Sequence, residues 1–468
     1  MKAGLLYVAT TLDATLVGEN RSFDGVSTDT RTLAPGNLFV ALKGPRFDAH
    51  DFLAQARACG AAAALVEHPR VDVDLSQLVV ADTRKALGQL ANQHRRTFTG
   101  PVIGITGSNG KTTVKGMVAE ILSGLGPCLV TRGNLNNEIG VPLTLLGLDP
   151  MRHQYAVIEM GANHQGEIAR LAAIAEPTIG LITNAGPAHL EGFGGLDGVA
   201  RGKSEIFSAL GRDGIAVLNA DDDYAAFWGS VIDGRSTVTF GLDRAAAVTG
   251  WHEPTADGAQ DLTLVRHARW FELRLNLPGR HNARNALAAA ACALAAGATL
   301  EQCVAGLARF QPVAGRLTPR LGRAGAKVLD DTYNANPASL AAGLAVLADL
   351  APSTPRWLVL GDMGELGTAS EHLHREAGDV ARRAGVDRLF AVGPLSQAAV
   401  QAFGSGATHF PDRPRLVAAL EDALTGDPVA ILVKGSRSAG METVVAALCP
   451  GPRPGEANPE EAQRCSSH

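Results

Sequence analysis

The sequence predicts an α/β protein of three domains, and three observations support this prediction. Its 468 residues suffice for three domains at about 100–200 residues each. Short apolar runs alternate with helical stretches, which is typical of parallel strands covered by helices. A glycine-rich loop also separates a strand from a helix near residue 107. We predict a small mixed α/β domain at 1–84, a central parallel-sheet phosphate-loop domain at 85–314, and a Rossmann-like doubly wound domain at 315–468.

The first block contains three segments with a clear pattern. The string NLFVALKG (37–44) predicts a strand, and residues 51–67 predict a helix followed by a strand. Residues 82–96 predict a helix that leads into the central domain. Asp82 stands at its start, where an aspartate side chain can accept hydrogen bonds from free backbone N–H groups.

The central and third blocks each contain several short apolar runs. In the central block these are PVIGIT, YAVIEM, IGLIT and IAVLNA, with a predicted helix at 112–125 after the first. In the third block they are RWLVLG, RLFAVG and VAILVKG. Polar residues follow the runs, so the carboxyl ends of parallel strands are the predicted location of the site. From about residue 450 the chain is rich in Pro, Glu and Ser and predicts a disordered tail.

Composition and charge exclude several classes of protein. A net charge of −5 gives no basic field for nucleic acid. The six cysteines never stand in C-x-x-C spacing, which argues against a zinc site or a disulfide framework and favours a reducing cytoplasm. The N-terminus lacks the basic start of a signal peptide. The longest uncharged apolar stretch, 287–298, is too short to span a membrane and predicts a buried helix.

The glycine-rich loop is the most specific motif. It reads TGSNGKTT over residues 106–113, after a strand and before a helix, which is the setting of a phosphate-binding loop. Lys111 would supply positive charge to the β- and γ-phosphates, and the Thr112 hydroxyl could bind Mg²⁺. The general pattern requires glycine at position 105, where this chain has isoleucine. The alternative is a plain glycine-rich turn with an exposed lysine.

Three further residues follow the predicted strands and could carry charge or metal. Glu159 ends the strand YAVIEM, where a carboxylate could hold Mg²⁺ beside a nucleotide. His189 follows the strand IGLIT, and Lys203 lies on a predicted helix. Taken singly, each has an ordinary structural explanation: a solvated Glu, a structural His and a surface Lys. Their order after successive strands favours a shared site.

Five strings together resemble the Mur ligase family: GITGSNGKTT, NLNNEIGVPLTLL, VIEMGANHQGEI, NAGPAHLEGFGG and LPGRHNARNALAAAA. Four more, VSTDTR…PGNLFVALKG…DAHDF, DDTYNANPASL, LGDMGELG and VKGSRSAGME, resemble the family members that add a dipeptide. The resemblance implies that ATP phosphorylates the terminal carboxylate of a UDP-N-acetylmuramoyl tripeptide. D-alanyl-D-alanine then attacks the acyl phosphate, giving the UDP-N-acetylmuramoyl pentapeptide of peptidoglycan synthesis. The family suggests a monomer that works in the cytoplasm.

The resemblance also implies roles for individual residues. Lys111, Glu159, His189 and Lys203 match catalytic positions, and Thr112, Glu159, His189 and Lys203, the last as a carbamate, match the ligands of two Mg²⁺ ions. The residues expected to bind ATP are Gly107, Ser108, Asn109, Gly110, Lys111, Thr112, Thr113, Asn282, Asn285, Arg316 and Asp331. Those expected to bind the UDP-sugar or the dipeptide are Thr28, Asp29, Arg31, Lys43, Gly44, His50, Asn134, Asn136, Asn137, Glu138, Tyr333, Asn334 and Asn336. Ala49 departs from the glycine usual in the family.

Three other functions compete with this interpretation. A sister ligase of the family adds a single diamino acid, but the Asn-Pro-Arg string expected of it is missing. Folylpolyglutamate synthase shares the central domain and would not be expected to have the first-block and DDTYNANP strings. An ATP-binding regulator without ligase activity is the alternative from a different class. The co-occurrence of Glu159, His189 and Lys203 argues against such a regulator.

Overall fold

The structure is a computed structural model that describes residues 1–45, 47–255 and 257–451. It has the mixed α/β architecture that the sequence predicts, with four sheets. The predicted disordered tail lies outside the described residues, apart from its first two positions. None of the helices in the described ranges is both long and apolar enough to cross a membrane.

The first part of the chain forms a five-stranded sheet and a separate antiparallel strand pair. The sheet has the order β2-β7-β6-β5-β4, with β2 antiparallel, and the pair is β1-β3. The strands are β1 Lys2–Gly4, β2 Thr15–Val17, β3 Ser22–Asp24, β4 Val26–Ser27, β5 Leu38–Val40, β6 Ala63–Val66 and β7 Ser76–Val79. The helices are α1 Leu5–Leu12, α2 Leu53–Ala58 and α3 Thr83–Arg95, with a 3₁₀ turn at Ala49–Phe52.

Helix α3 joins the first sheet to the central domain. As predicted, the Asp82 side chain caps it, accepting from the N–H groups of Arg84 and Lys85. At the other end the buried Arg95 guanidinium donates to the carbonyls of Ala175 and Glu176 in the central domain. These bonds fix the last helix of the first block onto the central block.

The central domain is built on one nine-stranded sheet, β16-β15-β14-β13-β12-β11-β8-β10-β9. Its strands are β8 Val102–Thr106, β9 Cys128–Val130, β10 Tyr155–Glu159, β11 Ile179–Ile182, β12 Ile215–Asn219, β13 Ser236–Phe240, β14 Val248–Pro254, β15 Gln260–Arg266 and β16 Arg269–Leu275. Its helices are α4 Lys111–Ser123, α5 Gly140–Leu146, α6 Glu167–Ala175, α7 Leu190–Phe193, α8 Leu196–Ser208, α9 Ala225–Ile232, α10 Arg280–Ala295 and α11 Leu300–Arg309.

Two apolar cores lie on the two faces of this sheet. One is formed with helices α3, α5, α6 and α8, and the other with α4, α10 and α11. The predicted buried helix at 287–298 corresponds to the second half of α10, whose alanine side chains are buried from Ala286 to Ala293. Small side chains allow α10 to approach the sheet and α4 closely, which places its first turn beneath the phosphate loop.

The third domain is a six-stranded sheet of order β17-β18-β22-β19-β20-β21 with helices on both faces. Its strands are β17 Thr318–Leu321, β18 Lys327–Asp331, β19 Arg356–Gly361, β20 Arg388–Val392, β21 Ala407–Phe410 and β22 Ala430–Lys434. Its helices are α12 Pro337–Leu350, α13 Ser370–Arg383, α14 Gln397–Phe403, α15 Arg413–Ala423 and α16 Glu442–Leu448, with 3₁₀ turns at Arg323–Gly325, Gly367–Ala369 and Arg437–Ala439.

The structure differs from the sequence prediction in two respects. The central sheet is not wholly parallel, because β14, β15 and β16 extend it as an antiparallel meander, and β17 is antiparallel in the third sheet. The predicted elements of the first block are also shorter: the strand ends at Val40 and the helix covers only Leu53–Ala58. Local apolar runs indicate that strands exist but not which way they run.

Candidate active site

A cavity of about 1060 Å³ lies where the carboxyl ends of the central strands face the third domain. Strands β8, β10 and β11 deliver the phosphate loop, Glu159 and His189 to it, and β18 and β22 deliver Asp331 and Lys434. The sequence-predicted residues that line it are Ser108, Asn109, Gly110, Lys111, Thr112, Asn134, Asn136, Asn137, Glu159, His189, Arg316, Asp331, Tyr333, Asn334 and Asn336. The structure therefore gathers most of the predicted site residues into one space.

The phosphate loop has the predicted context, between β8 and α4. Gly107 has φ 141° and Gly110 φ 82°, conformations that favour glycine. A Cβ at Gly107 would lie 1.9 Å from the Thr183 hydroxyl, so close packing also requires a glycine there. The isoleucine at 105 is fully buried within β8 and lies before the loop. The loop geometry is thus intact despite the departure from the general pattern.

Lys111 lies at the start of α4 and folds over its own loop. Its Nζ donates to the carbonyls of Gly107 at 2.6 Å and Ser108 at 3.2 Å. Burial lowers the pKa of this ammonium, while Glu159 acts in the opposite direction and Arg316 in the same one. An ammonium held by two neutral carbonyls is ready to exchange them for phosphate oxygens.

Glu159 is the central carboxylate of the cavity and is almost completely buried. Its Oε1 accepts from Asn136 at 2.8 Å and from the Thr112 hydroxyl at 3.4 Å. Its Oε2 lies 3.1 Å from Lys115 Nζ, yet has no partner in hydrogen-bonding geometry among the described residues. Burial alone would raise the pKa of Glu159, but Lys115 and Lys111 outweigh it and lower that pKa. The carboxylate is therefore ionised, and its Oε2 faces the ammonium of Lys115.

His189 lies on the opposite side of the phosphate loop from Glu159, since β11 and β10 flank β8. Its backbone is left-handed, with φ 54°, a conformation that is uncommon outside glycine and clusters at functional sites. Its Nδ1 lies 3.4 Å from Glu365 Oε2 of the third domain. Burial lowers the pKa of His189, and Glu365 partly opposes this effect. A neutral imidazole of this kind can serve as a ligand.

Lys203 is buried, which excludes the surface-lysine explanation considered for the sequence. It lies on α8 with 1% of its area exposed, 3.4 Å from the Ala162 carbonyl and 4.9 Å from the centre of the Phe193 ring. Within the described ranges, no carboxylate forms an ion pair with it. Burial, assisted by Lys111, lowers the pKa of Lys203 to about 7. A large fraction of this amine is thus neutral at physiological pH.

Asn282 and Asn285 share one face of α10, as their spacing predicts, and Asn285 donates to Asn282 at 3.1 Å. They lie beneath the phosphate loop, where a Cβ on Gly110 would meet Asn285 Oδ1 at 2.5 Å. Neither lines the cavity. Gly107 and Thr113 are also buried behind it.

The third domain reaches the phosphate loop through Arg316. Its Nη2 donates to the Thr112 hydroxyl at 3.3 Å, and its guanidinium lies 4.1 Å from the centre of the Tyr333 ring. Asp331 forms a buried ion pair at 2.5 Å with Lys434, which also donates to the Asn334 carbonyl. Cationic groups from two domains therefore converge on the loop.

The sugar-site residues predicted in the first block lie outside the cavity lining. Asp29 pairs with Arg31. Glu138, predicted to assist from the central block, is also outside the lining and pairs with Arg84. His50 is buried and both of its ring nitrogens are engaged, by the Asp48 carboxylate and the Glu67 N–H, so it serves the local fold here. The other predicted residues of this group are Thr28, Lys43 and Gly44.

Sequence reasoning missed several residues that line the cavity or contact its groups, among them Lys115, Lys434 and Glu365. Lys115 follows Lys111 by one helical turn, a spacing that could have indicated a second cation on the same face. Lys434 ends the strand VAILVKG as Glu159 ends YAVIEM. Glu365 has φ 61°, which the sequence gives no means of seeing.

Comparison with protein-family models identifies three matches along the chain. They are the Mur ligase family catalytic domain at 22–95, the Mur ligase middle domain at 105–293, and the Mur ligase glutamate ligase domain at 315–437. Together they include the phosphate loop and both sides of the cavity.

Full-length relatives and solved structures are also similar. The chain is 49% identical over 439 residues to the UDP-N-acetylmuramoyl-tripeptide–D-alanyl-D-alanine ligase of Escherichia coli, covering 93% of this chain and 96% of that one. A crystal structure of MurF from Acinetobacter baumannii has a TM-score of 0.90 at 38% identity, over 95% and 98% of the two chains. MurF from Thermotoga maritima in complex with ADP has a TM-score of 0.81 at 28% identity, over 90% and 96%.

Proposed function

Because the chain belongs to the Mur ligase family, we propose that it joins D-alanyl-D-alanine to a UDP-N-acetylmuramoyl tripeptide at the expense of ATP. The observation that carries this function is the 49% identity to an enzyme of that name over nearly the whole of both chains. The product would be the UDP-N-acetylmuramoyl pentapeptide, formed through an acyl phosphate.

The cavity supports the phosphoryl-transfer step. A carboxylate is a poor electrophile, and phosphoryl transfer to it needs positioned positive charge around the moving group more than a covalent protein group. Lys111, held over the loop, would bind the terminal phosphates, and Arg316 would bring a second cation from the third domain. The terminal carboxylate of the tripeptide, which attacks the γ-phosphate, would lie on the cavity side of Glu159 and His189. The amine of the dipeptide would then attack the acyl carbon and expel phosphate.

The residues present fit Mg²⁺. Glu159 Oε2 is buried and has no partner in hydrogen-bonding geometry among the described residues, although Lys115 Nζ lies 3.1 Å away, and the Thr112 hydroxyl lies beside the other carboxylate oxygen. Both are oxygen ligands, which Mg²⁺ prefers. We expect Thr112, Glu159, His189 and a modified Lys203 to hold two ions. When bound, they would neutralise charge that develops on the phosphoryl oxygens.

The environment of Lys203 supports carbamylation. CO₂ adds to the neutral amine, forming an N–C bond with loss of one proton, and the product carries a negative charge. A buried ammonium with no carboxylate beside it is costly, whereas a carbamate near cations is favourable. The lowered pKa of Lys203 makes the neutral amine available.

Phosphate release tests the proposed function. We expect release only when ATP, Mg²⁺, UDP-N-acetylmuramoyl tripeptide and D-alanyl-D-alanine are all present, and almost none when any one is omitted. Free lysine or diaminopimelate should replace the dipeptide at least about a hundredfold less well, because their extra ammonium would be buried without a partner. If the chain used a diamino acid as well as the dipeptide, its function would be that of the sister ligase. Binding of ATP without turnover on any of these amines would make it a nucleotide-dependent regulator.

A further inference from the structure

The phosphate loop makes one side-chain contact with the first turn of α12 in the third domain. Asn336 Nδ2 donates to Asn109 Oδ1 at 2.8 Å. The two residues are 227 positions apart, and Asn109 lies between the loop glycines. The contact therefore joins the central domain to the third domain within the loop itself.

The main chain of Asn109 is already fixed by the central domain. Its carbonyl accepts from the Thr183 hydroxyl at 2.6 Å and from Asn184 Nδ2 at 3.1 Å, and its N–H donates to Asn184 Oδ1 at 3.1 Å. Both partners follow strand β11. The loop backbone is thus held from one side, while the side chain of Asn109 faces the third domain.

The Asn336 side chain is also held in place by hydrogen bonds within its own domain. It is the N-cap of α12, where its Oδ1 accepts from the Ser339 N–H at 2.8 Å and the Ser339 hydroxyl accepts from the Asn336 N–H. The cap orients the amide so that its Nδ2 points at the loop. These two bonds leave the second N–H of the Asn336 amide available, and Asn336 lines the cavity, so the dipeptide role that the family resemblance suggested for it stays a prediction.

We propose that the Asn109–Asn336 hydrogen bond is a closure latch, in which Asn336 positions the third domain on the nucleotide-loaded phosphate loop. The latch would form only when the third domain lies against the central domain. Since Arg316 contacts the loop in the same arrangement, nucleotide binding and domain closure favour each other through a shared state. Asn336 is a positioning residue and touches no reacting atom. This inference rests on the proposed function only for the use of ATP.

A double-mutant cycle tests the latch in the full chain. Asn336→Ser keeps a good N-cap for α12 but is too short to reach Asn109, and Asn109→Ala removes the acceptor. We measure the affinity for a non-hydrolysable ATP analogue by calorimetry. Asn336→Ser should weaken binding about fivefold, the typical effect of one neutral hydrogen bond, and should have almost no effect in the Asn109→Ala background.

The controls separate a latch from a loss of stability. Asp412→Ser alters the N-cap of α15 in the same domain, outside the cavity lining, and should leave analogue binding unchanged. Melting temperatures of the variants show whether α12 still folds. Equal weakening by Asn336→Ser in both backgrounds would overturn the latch. If the wild-type chain does not bind the analogue at all, the proposed function fails instead.

Discussion

At the scale of single residues, the site depends on buried cations with unusual surroundings. Lys111, Lys115, Lys203 and Lys434 all lie in or behind the cavity, and three of them are almost completely buried. A buried ammonium is costly unless it is paired or able to lose its proton. Lys115 and Lys434 have carboxylate partners, whereas Lys111 and Lys203 have only neutral ones among the described residues. The two lysines without carboxylates are the ones to which we assign chemistry.

Lys111→Ala should reduce turnover at least about a hundredfold, because one donor aimed at developing charge is worth that much in a water-poor site. Binding of the UDP-peptide, measured by calorimetry, should stay nearly unchanged. The control is Lys85→Ala, which removes an exposed lysine of α3. Turnover of the Lys111 variant within about threefold of the wild type would contradict the assignment.

Lys203→Ala should lose most activity and recover part of it with added acetate or formate, since a small carboxylate can occupy the vacated space. Lys203→Arg keeps the charge but has no amine of low pKa, so it should stay inactive. The pKa of Lys203 is lowered to about 7. In the wild type, the fraction of Lys203 side chains that are neutral therefore decreases as the pH drops below 7. Activity at low CO₂ should therefore fall in the same range. Near-normal turnover of the arginine variant would disprove the carbamate.

The sequence predicts single residues well when their role depends on a local string, and poorly when it depends on a distant partner. Lys111 and Thr112 follow from the loop alone. Lys115 pairs with Glu159, 44 positions away, and Lys434 with Asp331, 103 positions away. Such pairs are set by the order of strands in the sheets, which local patterns do not contain.

At the scale of elements, α3 illustrates a feature that the sequence does predict. Asp82→Ala should cost about 1 kcal/mol of local helix stability, because the carboxylate accepts from two free N–H groups of the first turn. Amide exchange at Arg84 and Lys85 should accelerate about fivefold. Asp82→Ser, which retains a capping oxygen, should change it much less. Unchanged exchange in the alanine variant would show that the cap contributes nothing.

The antiparallel meander β14–β16 illustrates a feature that the sequence does not predict. Its strands have one face on α10 and α11 and one exposed, with Trp251 54% and Trp270 59% exposed. The fully buried strands β8 and β11 appear in the sequence as continuous apolar runs. Half-exposed strands mix polar and apolar residues, so the pattern resembles that of many loops.

At the scale of the whole molecule, the cavity is split between domains. Lys111, Glu159 and His189 come from the central domain, and Arg316 and Asp331 from the chain beyond residue 314. We expect the third domain to swing away without ligands and to return when ATP and the UDP-peptide bind. Small-angle scattering should show a smaller radius of gyration with both ligands present. An active chain that never becomes more compact would argue against this motion.

The hydrogen bonds of Arg95 should protect the connection between the first two domains from proteolysis. Its guanidinium donates to Phe98, Ala175 and Glu176, so the short connection after α3 is held at both ends and Phe98 is buried. The connection at 311–317 contains no helix or strand, and Arg316 ties it to the central domain by a 3.3 Å hydrogen bond to the Thr112 hydroxyl, compared with the three carbonyls that Arg95 holds. Limited digestion should therefore cut near 311–317 first and release residues 1 to about 310 as a single fragment. The first two domains would then behave as one rigid unit, and the third domain would separate from it.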